Sequence, residues 1–309
     1  MMLKDKIYHN GKGYSIPEDL KIKEKRLAKI KKVKRGLEDR EKKANPTEDI
    51  KDSSQISYAD MQAKIMKHKG GFDYCYNGQI SVDSKSQIIV GQHLTQNEND
   101  KKEVEKALSE IEDNTGNLPD KMSLDNGYMT SGNISALAGA KVDAYIAAGK
   151  GEKDRLPGKI GKSNFSYDSG KDIFICPVGV VLKLKSSGKN RVYKAEEMVC
   201  GGCSFQKRCS AKGNNTIYTD DKAIILATMK EKMKKDASKE IYRKRKIIVE
   251  PVFGQIKTGG FRRFSLRELE KAAGEFSIVC MVSNFKKIVI KIKSEINCIK
   301  EVELVPALS

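Results

Sequence analysis

The chain of 309 residues has no tryptophan, only three histidines and only seven prolines, and aromatic residues make up 6% of it. Three histidines leave no convincing Ser-His-Asp arrangement, which sets that kind of nucleophilic catalysis aside. The missing tryptophan is a composition bias and carries no mechanism. No apolar run approaches the roughly 18 residues that span a bilayer. The longest candidate, residues 276–282, sits between Glu275 and Lys286. No basic, apolar, small-residue signal pattern opens the chain. The expectation is therefore a soluble cytoplasmic protein with no membrane partner. Seven cysteines, an odd number without an export signal, argue against a disulfide framework. Acidic residues are also short: 41 against 59 Lys and Arg, a net charge of +18.

That excess favours a polyanionic partner, because each Lys or Arg that neutralises a phosphate releases condensed counterions. The alternative is a generally basic, solvated surface, and charge alone leaves the two even. Residues 21–43 hold 12 basic and 4 acidic residues, with Leu27, Ile30, Val33 and Leu37 at helical spacing. This predicts an exposed linker helix with a thin apolar seam. Residues 44–58 are polar and read as a loop.

From Phe72 the texture changes. Residues 72–83 alternate as a strand, and residues 87–94 follow after a short turn, so the pair reads as a hairpin. Val104, Leu108 and Ile111 then share a helical face. A short strand, residues 121–124, ends at Asp125-Asn126-Gly127. Thr130 or Ser131 can cap the next helix, and residues 142–148 form another strand. Strands alternating with helices indicate an α/β sheet. Residues 149–228 are richer in Gly, Lys and Ser, with short strand-like pieces, and read as an inserted β-rich subdomain. Helical texture resumes near Thr228 and runs to about Ile256, and a final helix covers roughly residues 267–290. The expected division is thus a basic helical linker at 1–58, an α/β part at 59–148, the insertion at 149–228 and a second α/β part with C-terminal helices at 229–309.

Asp83 and Asp125 each stand at the end of a strand, where side chains project out of the packed layer. Two carboxylates on neighbouring strand ends can converge on a divalent cation, since Mg²⁺ takes hard oxygen ligands and keeps several waters. Two such ions can clamp the attacking and leaving oxygens of an in-line phosphoryl displacement. The alternative is that these aspartates simply make turns or cap helices. Glu250 follows four consecutive bases. On a helix, Arg243, Lys246, Glu250 and Lys257, at offsets 0, 3, 7 and 14, share one face, while Ile241, Ile248 and Val252 lie on another. A lone carboxylate in a basic stripe suits a metal site beside a phosphate backbone, and it equally suits a surface ion-pair stripe. Pro251 predicts a kink or a helix restart.

Three blocks carry a resemblance: FDYCYNGQISVDSKSQIIVGQHLTQNEND, SLDNGYMT and YRKRKIIVEPVFGQIKTGGFRRF. In order and spacing they resemble the signature blocks of bacterial insertion-sequence DDE transposases, over about residues 20–290. The third block is the most specific. The resemblance implies an RNase H-like fold, a mixed five-stranded sheet flanked by helices, with a β-rich, Cys-containing insertion before the last catalytic helix. It implies Asp83, Asp125 and Glu250 as the catalytic, metal-binding acids, served by two Mg²⁺ or Mn²⁺ ions. Lys257 matches a DNA-phosphate contact, and Tyr242, Arg243, Lys246, Arg262 and Arg263 complete the implied DNA-binding set. Lys246 stands where an Arg is more usual, and Tyr242 sits one residue earlier than the signature's Tyr. The implied reaction is hydrolysis at transposon ends followed by attack of the freed 3′-OH on target DNA, on a homodimer that pairs two ends. Relatives begin with a helical domain that recognises the terminal repeats, whereas this chain starts in what resembles the linker after it. An N-terminally shortened copy is therefore the expectation. The competing functions are a catalytically incompetent remnant that only binds DNA and a metal-dependent nuclease.

Cys176, Cys200, Cys203 and Cys209 form a C-x23-C-x2-C-x5-C pattern. The two-residue spacing of Cys200 and Cys203 is that of zinc knuckles, and zinc would staple an insertion with few apolar residues. Reduced thiols packed in a small β subdomain are the alternative. Cys75, Cys280 and Cys298 read as isolated thiols.

Overall fold

A computed structural model of the chain describes residues 23–68, 70–147, 160–188, 190–209 and 216–300. The expected remnant at the N-terminus lies in part outside these residues, as do residues 149–159, 189 and 210–215 of the expected insertion. The chain divides into two units, one of residues 1–78, 94–98 and 262–279, the other of 79–93, 99–261 and 280–309.

In the first unit, helix α1 (Lys23–Ala44) follows the predicted seam. Val33 is buried and Leu27 exposed. A Cβ at Gly36 would stand 3.2 Å from the Met61 sulfur, so glycine there lets the helix lie against Met61 without displacing its side chain. Strands β1 (Lys64–His68) and β2 (Gly71–Cys75) form an antiparallel hairpin from Lys64↔Cys75 to His68↔Gly71. The single strand predicted over residues 72–83 is instead broken at Tyr76. The Tyr76 hydroxyl donates to Asp60 at 2.7 Å, and its ring stands edge-on to Phe264 at 6.1 Å. Asp60 also accepts the Glu268 amide at 2.9 Å, which anchors the chain just before helix α7 (Leu269–Lys300).

Strand β3 (Asn77–Val82), most of it in the second unit, pairs with β4 (Ile89–Thr95). Their connection is closed by the Asp83 amide donating to Ile88 O at 2.8 Å and the Gln87 amide to Asp83 O at 3.0 Å. Helix α2 (Val104–Thr115) buries Val104, Ala107, Leu108 and Ile111 and ends on Gly116 at φ +74, the left-handed stop that glycine adopts freely. Strand β5 (Lys121–Leu124) runs parallel to β6 (Asp143–Ile146). Between them lies α3 (Ser131–Gly139), capped as predicted by Thr130, whose hydroxyl accepts the Asn133 amide. Val104, Leu124, Leu137 and Ile146 form the core here.

The α/β class stands, but the sheet differs from the expected mixed one. Among the described residues the only five-stranded sheet is antiparallel throughout and lies in the Cys-containing segment. Its strands are β7 (Ser166–Asp168), β8 (Ile173–Ile175), β9 (Val181–Ser186), β10 (Arg191–Lys194) and β11 (Thr216–Thr219), in the order β11-β10-β9-β8-β7. The pairs β3–β4 and β5–β6 are joined by side chains rather than by a ladder. Gln79 donates to Asp100 at 2.7 Å, and the Tyr128 hydroxyl donates to Gln79. After the short helix α4 (Glu197–Gly201), α5 (Asp221–Lys234) and α6 (Asp236–Thr258) replace the one predicted helix, separated by Lys235 in extended conformation.

The predicted restart at Pro251 does not occur, and α6 runs through it. Pro251 offers no amide to the carbonyl of Ile247, one turn back. That carbonyl accepts instead from the Gln87 side chain at 2.9 Å.

Candidate active site

Each sequence-predicted acid sits where its strand or helix was expected to deliver it. Asp83 opens the turn after β3, and its Oδ2 accepts the amides of Lys85 at 3.1 Å and Ser86 at 2.6 Å. Asp125 follows β5 and caps a short turn of 3₁₀ helix, its Oδ1 accepting the Asn126 amide at 2.8 Å. Glu250 lies exposed on α6 in one row with Arg243, Lys246 and Lys257, all exposed. The opposite side of α6 buries Val252 and Ile256, which is why the charged row faces water.

Two contacts tie α6 to the elements bearing the aspartates. The first is the Gln87 bond to Ile247 O, which fastens the helix to the turn that begins at Asp83. The carbonyl of Gln87, at φ +55, is held in turn by the Lys287 ammonium. The second is an ion pair, Arg245 Nη2 to Asp125 Oδ1 at 3.5 Å. The guanidinium also lies over the Tyr242 ring, 5.5 Å from its centre, and its Nε is buried with no partner among the described residues. Burial raises the Tyr242 hydroxyl's pKa, Arg245 opposes this and Asp125 adds to it. Tyr242 is thus set against the acid site, while Arg243, Lys246 and Lys257 are free to meet a polyanion. Arg262 and Arg263 are exposed and belong to the first unit.

Gly127 of the Asp-Asn-Gly-Tyr block has a steric reason to be glycine. A Cβ there would fall 2.7 Å from the Asp100 carboxylate oxygen, closer than any real contact. Asp100 is engaged by Gln79, and Asn133 donates to the carbonyl of Tyr128 at 3.0 Å. Burial raises the Tyr128 hydroxyl's pKa well above its ordinary value, with Asp100, Glu103 and Asp125 adding to the effect. The turn behind Asp125 is therefore built from buried polar bonds, which are costly to break singly. Nearby, His93 and Glu103 form a buried pair at 2.9 Å. Sequence reasoning missed Gln87, Arg245 and Asp100. Only Pro251 signalled any of them, since a proline inside a helix leaves a carbonyl in need of a donor.

The cysteine segment has its own geometry. Cys176, Cys200, Cys203 and Cys209 line one cavity of about 30 Å³, and all four are free thiols. Burial raises the Cys200 thiol's pKa, and the other three raise it further. Of the isolated thiols, Cys75 is half-buried, and Cys280 is buried and pushed up to about 12. As the side chains stand, no three His, Cys, Asp or Glu among the described residues are grouped closely enough to hold a metal ion.

Residues 175–289 match a family model described as the transposase DDE domain. That stretch, 115 of the 309 residues, is similar to the transposase DDE domain family. The matched domain contains Glu250, Lys257 and all four clustered cysteines, and it begins after both aspartates. No curated protein and no solved structure matches the chain. No helix among the described residues is long and apolar enough to cross a membrane.

Proposed function

We propose that the chain is a DDE transposase that cuts DNA at insertion-sequence ends and joins the freed 3′-OH to target DNA, with Asp83, Asp125 and Glu250 as its acids. The observation that carries this reading is the pair of ties on α6. The helix bearing Glu250, within the matched transposase domain, is fastened to the Asp83 turn by Gln87 and to Asp125 by Arg245. Three acids distant in sequence thereby sit on contiguous elements. The hairpin ending in Asp83, the strand ending in Asp125 and the following parallel strand are the parts an RNase H-like core would use.

The three carboxylates are the hard oxygen donors that Mg²⁺ or Mn²⁺ takes. When bound, such ions would stabilise charge on the transferring phosphate. The protein's own part is to hold the acids. Asp83 and Asp125 are fixed by amide bonds to their carboxylates. Arg245 places one positive charge against Asp125, where an ion would bring two, so loading requires this partly exposed pair to part. With Arg245 17% and Asp125 53% exposed, the pair lies between a surface ion pair, worth about 0.2–1 kcal/mol, and a buried one. Because the acids do not yet form a metal-holding group, the reading of a DNA-binding remnant has an observation in its favour. Incubation of the purified chain with pre-cut element ends and supercoiled plasmid, in Mg²⁺ or Mn²⁺, separates the readings. Joined products support the transposase, cutting without joining supports the nuclease, and binding without chemistry supports the remnant. Pairing two ends would take at least two copies.

DNA binding should be strongly salt-dependent and weakly sequence-specific. Arg243, Lys246 and Lys257 present three exposed cations beside Glu250. Each neutralised phosphate contributes about −0.9 to the slope of log K against log salt. Lys257→Ala should weaken binding to all duplexes alike and make the slope shallower by about 1. An unchanged slope would remove Lys257 from the DNA surface.

A further inference from the structure

We infer that Cys176, Cys200, Cys203 and Cys209 form a tetrahedral site for one thiophilic divalent cation, zinc by preference, that fastens the antiparallel sheet to the segment after it. The inference does not depend on the transposase reading.

Four residues separated by up to 33 positions meet at one cavity. Each arrives on a tight local structure. Cys176 follows β8 and begins a turn in which the Gly179 amide donates to Cys176 O at 2.9 Å, with Gly179 at φ +86. In the same turn the Val180 amide donates to the Cys176 sulfur at 3.3 Å. An amide aimed at sulfur favours the thiolate that a metal needs. Cys200 and Cys203 lie on consecutive turns at the end of α4, with the Cys203 amide donating to Cys200 O at 3.3 Å. Cys209 is placed by its amide bond to Phe205 O at 2.9 Å and by a bridge to Ile160.

The lining of the cavity points to its occupant. Its water-accessible space of about 30 Å³ gives room for an ion or one or two waters. Apart from the thiols and Gln206 the lining is apolar, including Pro177, Leu182 and Phe205, so no other group there carries charge. Four sulfurs without a hard oxygen ligand select zinc over magnesium. The exposed Lys207 and Arg208 follow directly and suit a site that is net negative when four thiolates bind one dication. The sulfurs now line the wall rather than converge. Binding therefore requires the thiol side chains to turn from the wall toward one point.

The sheet needs such a fastening. Six buried residues make its core: Tyr167, Phe174, Leu182, Tyr193, Ala195 and Ile217. A core that small gains much from a metal that binds only the folded state.

The test is metal content and thiol reactivity of the full chain purified under reducing conditions. One zinc per chain is expected, with four more thiols reacting with a thiol reagent after chelation than before. Cobalt substitution should give the thiolate-to-metal absorption of a tetrahedral sulfur site. Cys203→Ser should lower metal content to well below one per chain, and Cys75→Ser should leave it unchanged. Should Cys203→Ser fail to fold, Cys209→His, which keeps a zinc ligand, should still bind cobalt with a shifted spectrum. Substoichiometric metal in the unmodified chain, equal thiol reactivity with and without zinc, or a disulfide among these four would overturn the site.

Discussion

Asp125→Asn is expected to lower metal-dependent strand joining by at least ~10²-fold, the scale on which losing a single group that stabilises transition-state charge is felt, while DNA binding is retained. The substitution suits the test because of what it preserves. Asp125 caps a short turn through its Oδ1, which accepts the Asn126 amide at 2.8 Å. Asparagine is as good a cap as aspartate. The lost item is the negative charge, and with it the pull on Arg245 at 3.5 Å. Asp125 is 53% exposed but Arg245 only 17%, so the loss should cost about 1–3 kcal/mol of stability. Glu250→Gln makes the companion variant. Glu250 is exposed on α6, and a surface change there should stay within about 0.5 kcal/mol of neutral. Glu250→Gln should therefore melt near the parent and Asp125→Asn somewhat below it, and both should bind DNA with the parent's salt slope, yet fail to join. If either joins DNA at the parent rate, that acid is not catalytic and the proposed triad fails. If the parent itself binds but never joins, the remnant reading stands.

Much of this site was legible because its signals are local. Strand alternation ended at Asp83 and at Asp125, and a 3.6-residue period put Glu250 in line with Arg243, Lys246 and Lys257. The illegible parts depend on partners far along the chain. Pro251 argued for a kink or a restart in α6, yet the helix runs through it, and a side chain 160 positions from Ile247 supplies the missing donor. Alternation through residues 72–83 masked the break at Tyr76, because the residues that engage Tyr76 are Asp60 and Phe264. The mixed sheet came from resemblance rather than from period. A ladder between β3 and β5 has no local sequence signal, and Gln79, Asp100 and Tyr128 do that joining through side chains. Arg245 lay in plain view within four consecutive bases, but nothing in a run of like charges marks which one turns inward to a carboxylate.

Tyr193→Ala is expected to destabilise the chain by ~3–5 kcal/mol, the usual cost of emptying a buried aromatic site. Tyr193 is fully buried, 4.9 Å from the Phe174 ring and edge-on to it, with Tyr167 at 6.4 Å. Its hydroxyl donates to Asp172 Oδ1 at 2.5 Å, and the Tyr167 hydroxyl donates to the same oxygen at 2.7 Å. Those bonds, Tyr193's first, hold the Asp172 carboxyl below its ordinary pKa of 3.8. A lowered folded-state value means the stabilisation is present above about pH 3.8 and is lost as pH falls through the folded value. Tyr193→Phe keeps the ring and removes one of these donors. It should cost nearer 1 kcal/mol and flatten the acid limb of the stability curve. The larger loss should not stay in the sheet. Ile224 and Ala227 of α5 pack on this core, while Met229 of the same helix is buried with Leu124, the residue before Asp125. A single cooperative melt, lowered by roughly 6–20 °C at ~2–4 °C per kcal/mol, is therefore the expected calorimetric result for Tyr193→Ala. Two separated transitions, with only the first one moved, would mean that α5 does not couple the sheet to the strand that carries the proposed acid.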